Sequence, residues 1–229
     1  MDCLQQIALF SQSEVSALDE SAHTLFALAE AMDQRDTHTA GHSERLAGLS
    51  VNLGIALGLD HFSLRVLYRS GFLHDIGKVG IPDSILFKPG SLTDLEWNTM
   101  RSHPVKGENI CRHLSSLAPV LPLIRHHHER WDGSGYPDGL RGEQIPLLAR
   151  VLQVADIYDA LTNPRPYKRA FTNEEALGIL GQETERGWRD PRIMKTFFRV
   201  NESLLSELAD PELNTMRSSL HQLATRAIS

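Results

Sequence analysis

Cysteine is almost missing from this chain. With only Cys3 and Cys111 among 229 residues, neither a disulfide framework nor a cysteine-built zinc site can be assembled, and the usage suits a reducing compartment. Long apolar runs are missing as well: no stretch approaches the roughly 20 uninterrupted apolar residues that span a bilayer. Met1 to Ser13 lacks the basic start, apolar run and small-residue cleavage site of a secretory leader. A soluble, cytoplasmic protein with no membrane partner is the expectation. Net positive charge is absent too. Lys and Arg number 23 against 29 Asp and Glu, leaving −6, the wrong sign for a broad basic surface that grips a nucleic-acid polymer. An anionic ligand must therefore be met by local charge.

Convincing alternation of apolar and polar residues, the mark of a half-buried strand, is also lacking, and the sequence predicts an all-α fold of one domain. A first helix is expected from Glu14 to Asp33, with Leu18, Ala22, Leu25, Leu28, Ala29 and Met32 at three- and four-residue spacing. Others are expected near 40–58, 61–76, 92–101, 104–116, 119–129, 146–162, 173–186, 191–207 and 211–227. Thr93 with Glu96, and Thr172 with Glu175, fit capping boxes. Asp210 before Pro211 is a similar start signal. Ile81 to Ser91 and Trp131 to Pro146, rich in proline and glycine, read as ordered loops.

Histidine is what the chain has in excess, 11 in all, several beside aspartates. His42, His74-Asp75, His103, His127-His128 and Asp156 are all of metal-ligand type. Imidazole with carboxylate suits iron, manganese, zinc or nickel better than magnesium or calcium. Seven candidates exceed one ion's needs, so convergence would imply two ions sharing a carboxylate. Asp156 lies in Leu147 to Leu161, apolar on nearly every helical face. A buried carboxylate there requires a cation, either a metal or an arginine such as Arg150. In isolation, His103 before Pro104 reads as a cap or a surface residue. In His126-His127-His128 successive side chains point about 100° apart, so all three cannot serve one ion. His38 and His42, at i and i+4, share a face. His23, His61, His113 and His221 have no such company.

These residues stand in an order that resembles the HD-GYP family, a branch of the HD metal-dependent phosphohydrolases. The likeness covers about Leu25 to Phe198. It includes Gly41-His42-Ser43, Leu73-His74-Asp75-Ile76-Gly77-Lys78, Ile81-Pro82-Asp83, Lys88-Pro89-Gly90, His103-Pro104, His127-His128-Glu129-Arg130, Asp132-Gly133-Ser134-Gly135-Tyr136-Pro137 and Val154-Ala155-Asp156. The resemblance implies an HD-domain helical bundle with an added GYP loop and C-terminal helices. It divides the chain into an N-terminal extension (1–20), an HD-GYP catalytic domain (21–205) and a C-terminal helix (206–229) packed on the domain or at a dimer interface.

It further implies that His42, His74, Asp75 and Asp156 are core ligands with Asp75 bridging, and that His103, His127 and His128 complete the second ion's shell. Two divalent ions are expected, iron or manganese ahead of zinc or nickel. His38 stands where the family carries an aromatic residue or a glutamate linked to a third metal, which leaves the count open between two and three. Lys78, Arg165 and Lys168 would meet the substrate phosphate. Tyr136 would order its loop, with or without packing on the ligand, and Asp159 would orient a ligand.

The implied activity is hydrolysis of cyclic di-GMP, or of cyclic GMP-AMP, by a metal-bridging hydroxide, giving pGpG first, with a further cut to GMP left open. Asp75 and Lys78 would be the residues at the chemistry. Two other readings stand beside it: a catalytically silent sensor of cyclic dinucleotides or of a partner protein, and an HD phosphohydrolase acting on another nucleotide. About 20 N-terminal residues are too few for a sensory domain, so regulation would come from a partner or from a region outside this sequence. Leu213, Met216, Leu220 and Leu223 form a stripe that would pack on the domain or dimerise.

Overall fold

The structure, a computed structural model, describes residues 20–35, 41–164 and 169–208. Among them every regular element is helical and no strand occurs, as the composition and periodicity predict. The helices are α1 (Glu20–Arg35), α2 (His42–Ala56), α3 (His61–Leu73), α4 (Asp83–Leu86), α5 (Asp94–Met100), α6 (His103–Cys111), α7 (Leu121–His126), α8 (Leu147–Thr162), α9 (Asn173–Glu185) and α10 (Pro191–Leu208). Three short 3₁₀ turns, Ile76–Gly80, Ser115–Val120 and Gly142–Gln144, join them. No described helix is long and apolar enough to cross a membrane.

Both capping boxes form. Thr93 accepts from the Glu96 amide while Glu96 reaches back to the Thr93 amide, and Thr172 and Glu175 do the same for α9. These reciprocal bonds satisfy amide donors that the first helical turn leaves orphaned. Asp60 adds an N-cap for α3 through the Ser63 amide, at 2.8 Å.

The other differences from the predicted spans have local causes. The 61–76 helix stops at Leu73, followed by a tighter turn. The 119–129 helix is divided into a 3₁₀ turn containing Pro119 and the short α7. The 104–116 helix is only His103–Cys111, and Ile81–Ser91, read as a loop, carries the single turn α4. The first helix starts at Glu20 instead of Glu14 within the described residues. The 211–227 helix with its stripe, the Asp210-Pro211 signal, Cys3, His38, Arg165, Lys168 and His221 lie outside them.

Helix α8 explains why apolar residues crowd every face of its sequence. It packs against α2, α3, α7, α9 and α10, so Val151, Leu152, Val154 and Ala155 are all buried. A helix enclosed on several sides cannot be amphipathic in the surface-helix sense. A second cluster, built on Ala47, Val51, Leu64, Tyr68, Phe72, Leu73 and Ile124, joins α2, α3 and α7 on the other flank. Cys111 is sealed inside it, and burial pushes its thiol up to about 11.

The 3₁₀ turn after α3 is pressed onto the start of α6. A side chain at Gly77 would collide with the His103 carbonyl oxygen and come within 2.5 Å of the Gly107 amide nitrogen. Neither is a flexible group. Overpacking of this kind costs about 2 kcal/mol, so Gly77→Ala is expected to lower Tm by roughly 4–8 °C. Gly178→Ala in α9, where nothing lies within 4 Å, should be neutral or stabilising. Thermal melts of the two variants decide this; equal melting temperatures would refute the close-packing account.

Candidate metal centre

Helix ends, not helix middles, aim most of the histidines. His74 is the C-cap of α3 and donates Nδ1–H to the Gly71 carbonyl at 3.0 Å. His127 is the C-cap of α7 and bonds the Ile124 carbonyl at 2.8 Å. His103 opens α6 and bonds the carbonyl of Met100, the last residue of α5, at 2.8 Å. In each case the acceptor is the carbonyl three residues back, one that a terminating helix leaves without its usual amide partner. The bond places a proton on Nδ1 and turns Nε2 inward. His42, the first residue of α2, is set differently: its Nδ1 lies 2.7 Å from the Asp159 carboxylate, which Arg45 also grips at 2.7 and 3.1 Å.

The inward atoms form two adjoining sets. His42, His74 and Asp156 offer one, and Asp75, His103, His127 and His128 the other, with the ligand-type atoms of each set within 4.8 Å of one another. Asp75 faces both. Its Oδ1 lies 3.2 Å from His103 Nε2 and 3.9 Å from His127 Nε2, while its Oδ2 lies 3.3 Å from His74 Nε2 and 2.5 Å from Lys78 Nζ. Thus one carboxylate presents an oxygen to each set. All seven residues named from the sequence are therefore brought to one place.

The donor chemistry fits cations. Asp75 Oδ1 is buried and finds no hydrogen-bond donor. His103 Nε2 and His127 Nε2 face each other at 3.4 Å, two lone pairs once their Nδ1 atoms carry the protons, an arrangement a positive ion between them would relieve. Burial, and then the neighbouring imidazoles, hold His127 well below the usual histidine range. Burial followed by His103 takes His128 down to about 3. Both stay neutral at pH 7 and keep a lone pair available. At His74 burial opposes the charge, but Asp75 and then Asp156 outweigh it and hold the imidazolium up to about 9. Burial would raise Asp75, yet Lys78 and then His74 keep it well below the carboxylate range. The pocket is thus built to hold positive charge.

Two expectations change. Asp156 is not fully enclosed: its side chain is 16 % exposed because it lines a cavity, and the deeply buried carboxylate of α8 is Asp159. Arg150 is not the partner of Asp156; it pairs with Asp190 at 2.5 Å. Of the three adjacent histidines, His126 lies outside both sets and faces Asp138 at 3.4 Å. It belongs to a third acidic group with Glu129, but Glu129 is already taken by the amides of Asp138, Gly139 and Leu140. His61 and His113 are exposed.

Sequence reasoning missed the role of Glu129 as the brace of the glycine-rich loop, and that of Gln153, whose amide donates to the carbonyls of His127 and Glu129. A buried glutamate facing a run of loop amides leaves no periodic signal. Tyr136 stacks on His128, with ring centroids 4.8 Å apart. Both line a cavity of about 410 Å³ that also reaches Trp97, Arg101, Arg130 and Asp156.

The HD domain family profile matches residues 27–193. The chain is 43 % identical over 198 residues to the cyclic di-GMP phosphodiesterase response regulator RpfG of Xanthomonas campestris, covering 86 % of this chain and 52 % of that protein. It is 38 % identical over 154 residues to the 3′3′-cGAMP-specific phosphodiesterase 3 of Vibrio cholerae, covering 67 % of this chain and 34 % of that one. Among solved structures, the Vibrio cholerae cyclic GMP-AMP specific phosphodiesterase V-cGAP3 superposes with a TM-score of 0.61 at 20 % identity, over 85 % of this chain and 52 % of that one. The chain belongs to the HD domain family, within which the HD-GYP motifs of its sequence fall. It spans about half the length, or less, of the curated relatives it matches.

The Asp159 carboxylate sets the tautomer and orientation of His42, and outer carboxylates of this kind are worth about 10–100-fold in metal affinity. Asp159→Asn should weaken Mn²⁺ binding by that factor while leaving helicity intact. Titration calorimetry paired with circular dichroism reads both; an unchanged Mn²⁺ affinity would refute the orienting role.

Proposed function

We propose that this chain is a metal-dependent phosphodiesterase for cyclic dinucleotides, with cyclic di-GMP the first substrate to test and cyclic GMP-AMP the second. The observation that carries the reading is Asp75, one carboxylate with an oxygen turned to each of two His/Asp sets. Relatives at 43 % and 38 % identity carry those two substrates in their names.

On this reading His42, His74 and Asp156 would hold one divalent ion and His103, His127 and His128 the other, with Asp75 offering an oxygen to each set. Iron or manganese suits the mixed nitrogen and oxygen set, and zinc or nickel would also be accepted. When bound, such a pair makes water a nucleophile at neutral pH and draws charge from a phosphate. The chain's own residues do the rest. Lys78 brings an ammonium to the edge of the centre, where negative charge builds on the phosphate oxygens as the ribose 3′ oxygen leaves. Arg165 and Lys168, outside the described residues, are assigned to the phosphate by the resemblance alone. Tyr136 stays a protonated phenol, because burial and then Asp75 raise it, and it steadies His128 by stacking. No serine, threonine or cysteine nucleophile is required; Cys111 is sealed in the core. The products are linear pGpG and, with continued hydrolysis, GMP.

Two measurements test this. Elemental analysis of anaerobically purified protein should give about two divalent ions per chain, falling steeply in Asp75→Ala. Chromatography of reactions with cyclic di-GMP, 3′3′-cyclic GMP-AMP and mononucleotides should show turnover of a cyclic dinucleotide that Asp75→Ala reduces to background. Near-normal metal content and turnover in Asp75→Ala would refute the shared-carboxylate assignment. Turnover of mononucleotides alone would move the chain to another phosphohydrolase class.

A further inference from the structure

Arg101 and Arg130 stand apart from the other arginines around the site. Arg45 is held by Asp159, Arg125 by Glu108 and Asp138, Arg150 by Asp190, and Arg189 by Glu183. Among the described residues neither Arg101 nor Arg130 makes an ion pair with a carboxylate, although Asp132 is near enough for the charge of Arg130 to help lower its pKa. They are positioned by aromatic faces instead: Arg130 lies 3.9 Å from the Trp188 ring centroid, and Arg101 5.7 Å from both the Trp97 and the Tyr136 rings. In a chain of net charge −6 that neutralises its other cavity-lining arginine, Arg189, with an ion pair to Glu183, two cavity-lining cations outside any ion pair call for an anion from outside.

Their place in the fold says which anion. Both line the cavity that holds His127, His128 and Asp156. Both also line a narrower side recess of about 130 Å³, completed by Ser134, Gly135 and Tyr136 and containing no acidic group. Gly135 lets the recess wall pack directly on the chain beside it, since a Cβ there would strike the backbone of Glu129 and Arg130. A cyclic dinucleotide carries two phosphodiesters in one ring. When one lies at the His/Asp centre, the other stands a ring's width away, and the cavity that reaches His127, His128 and Asp156 also reaches Arg101 and Arg130. Guanidinium groups, planar and with five donors each, fit phosphate oxygens in pairs.

We propose that Arg101 and Arg130, with Ser134 at the recess, form a subsite for the phosphodiester of the cyclic dinucleotide that is not being cleaved. This rests on the cyclic-dinucleotide reading above. The subsite makes the enzyme a reader of two phosphates at once, and so favours cyclic dinucleotides over substrates with a single phosphodiester.

The test uses the full, metal-loaded chain with cyclic di-GMP, 3′3′-cyclic GMP-AMP and bis(p-nitrophenyl) phosphate, which has one phosphodiester and no second phosphate. For Arg101→Gln and Arg130→Gln, the ratio of kcat/KM on the better cyclic dinucleotide to that on bis(p-nitrophenyl) phosphate should fall at least about 10-fold each, chiefly through KM. Arg101→Lys should restore part of it, since it returns the charge without the paired geometry. Arg101 is exposed, so its variant tests the idea even if Arg130→Gln loosens the Trp188 contact and fails to fold. An unchanged ratio in Arg101→Gln, or an equal loss on both substrate classes, overturns the subsite. Wild-type protein that cleaves bis(p-nitrophenyl) phosphate but neither cyclic dinucleotide overturns the function and the subsite together.

Discussion

A single hydrogen bond, repeated, governs this molecule: an imidazole Nδ1–H donated to the carbonyl three residues back where a helix ends. It recurs at His74, His103 and His127. Each bond satisfies a backbone acceptor that would otherwise be orphaned, fixes the tautomer, and turns Nε2 toward a common centre. Stability and orientation thus come from one contact. The shortness of α5, α6 and α7, which looks like a defect of helix formation, is what brings helix ends to the centre.

The second constraint is α8. Because it is enclosed by five neighbours, it can carry Asp156 toward the cavity and Asp159 toward His42 from a rigid base, one turn apart. Buried apolar residues of that helix, such as Leu152 and Val154, hold the register on which both carboxylates depend. Close packing makes that register hard to shift. The glycine-rich loop is braced in the same spirit, three amides on the buried Glu129, and it lays Tyr136 over His128 and Ser134 beside Arg101 and Arg130.

Much of this was legible along the chain. Apolar residues on every face of 147–161 announced an enclosed helix, because only a helix with neighbours on several sides can bury such a surface. Thr93-Glu96 and Thr172-Glu175 announced helix starts, because capping is chemistry among residues three apart. The seven His and Asp candidates were visible by type and by their resemblance to a family. His103 taken alone read as a cap or a surface residue; in the fold it is 2 % exposed and faces Asp75. The partner of Arg150 could not be read either. Asp156 and Asp190 were equally acidic on paper, and only the packing of α10 beside α8 put Asp190 within reach.

By itself, then, the sequence determined the helical class, the two capped starts, the inventory of possible ligands and the need to meet an anion locally, since these follow from composition, periodicity and short-range bonding. Tertiary structure alone decided that Asp75 shows one oxygen to each set, that His126 turns away while its two neighbours turn in, that Glu129 braces a loop, and that Arg101 and Arg130 meet across a recess. Those outcomes depend on the angles at which helix ends approach one another. Such angles are set by the summed packing of the whole core, which no local stretch of residues encodes.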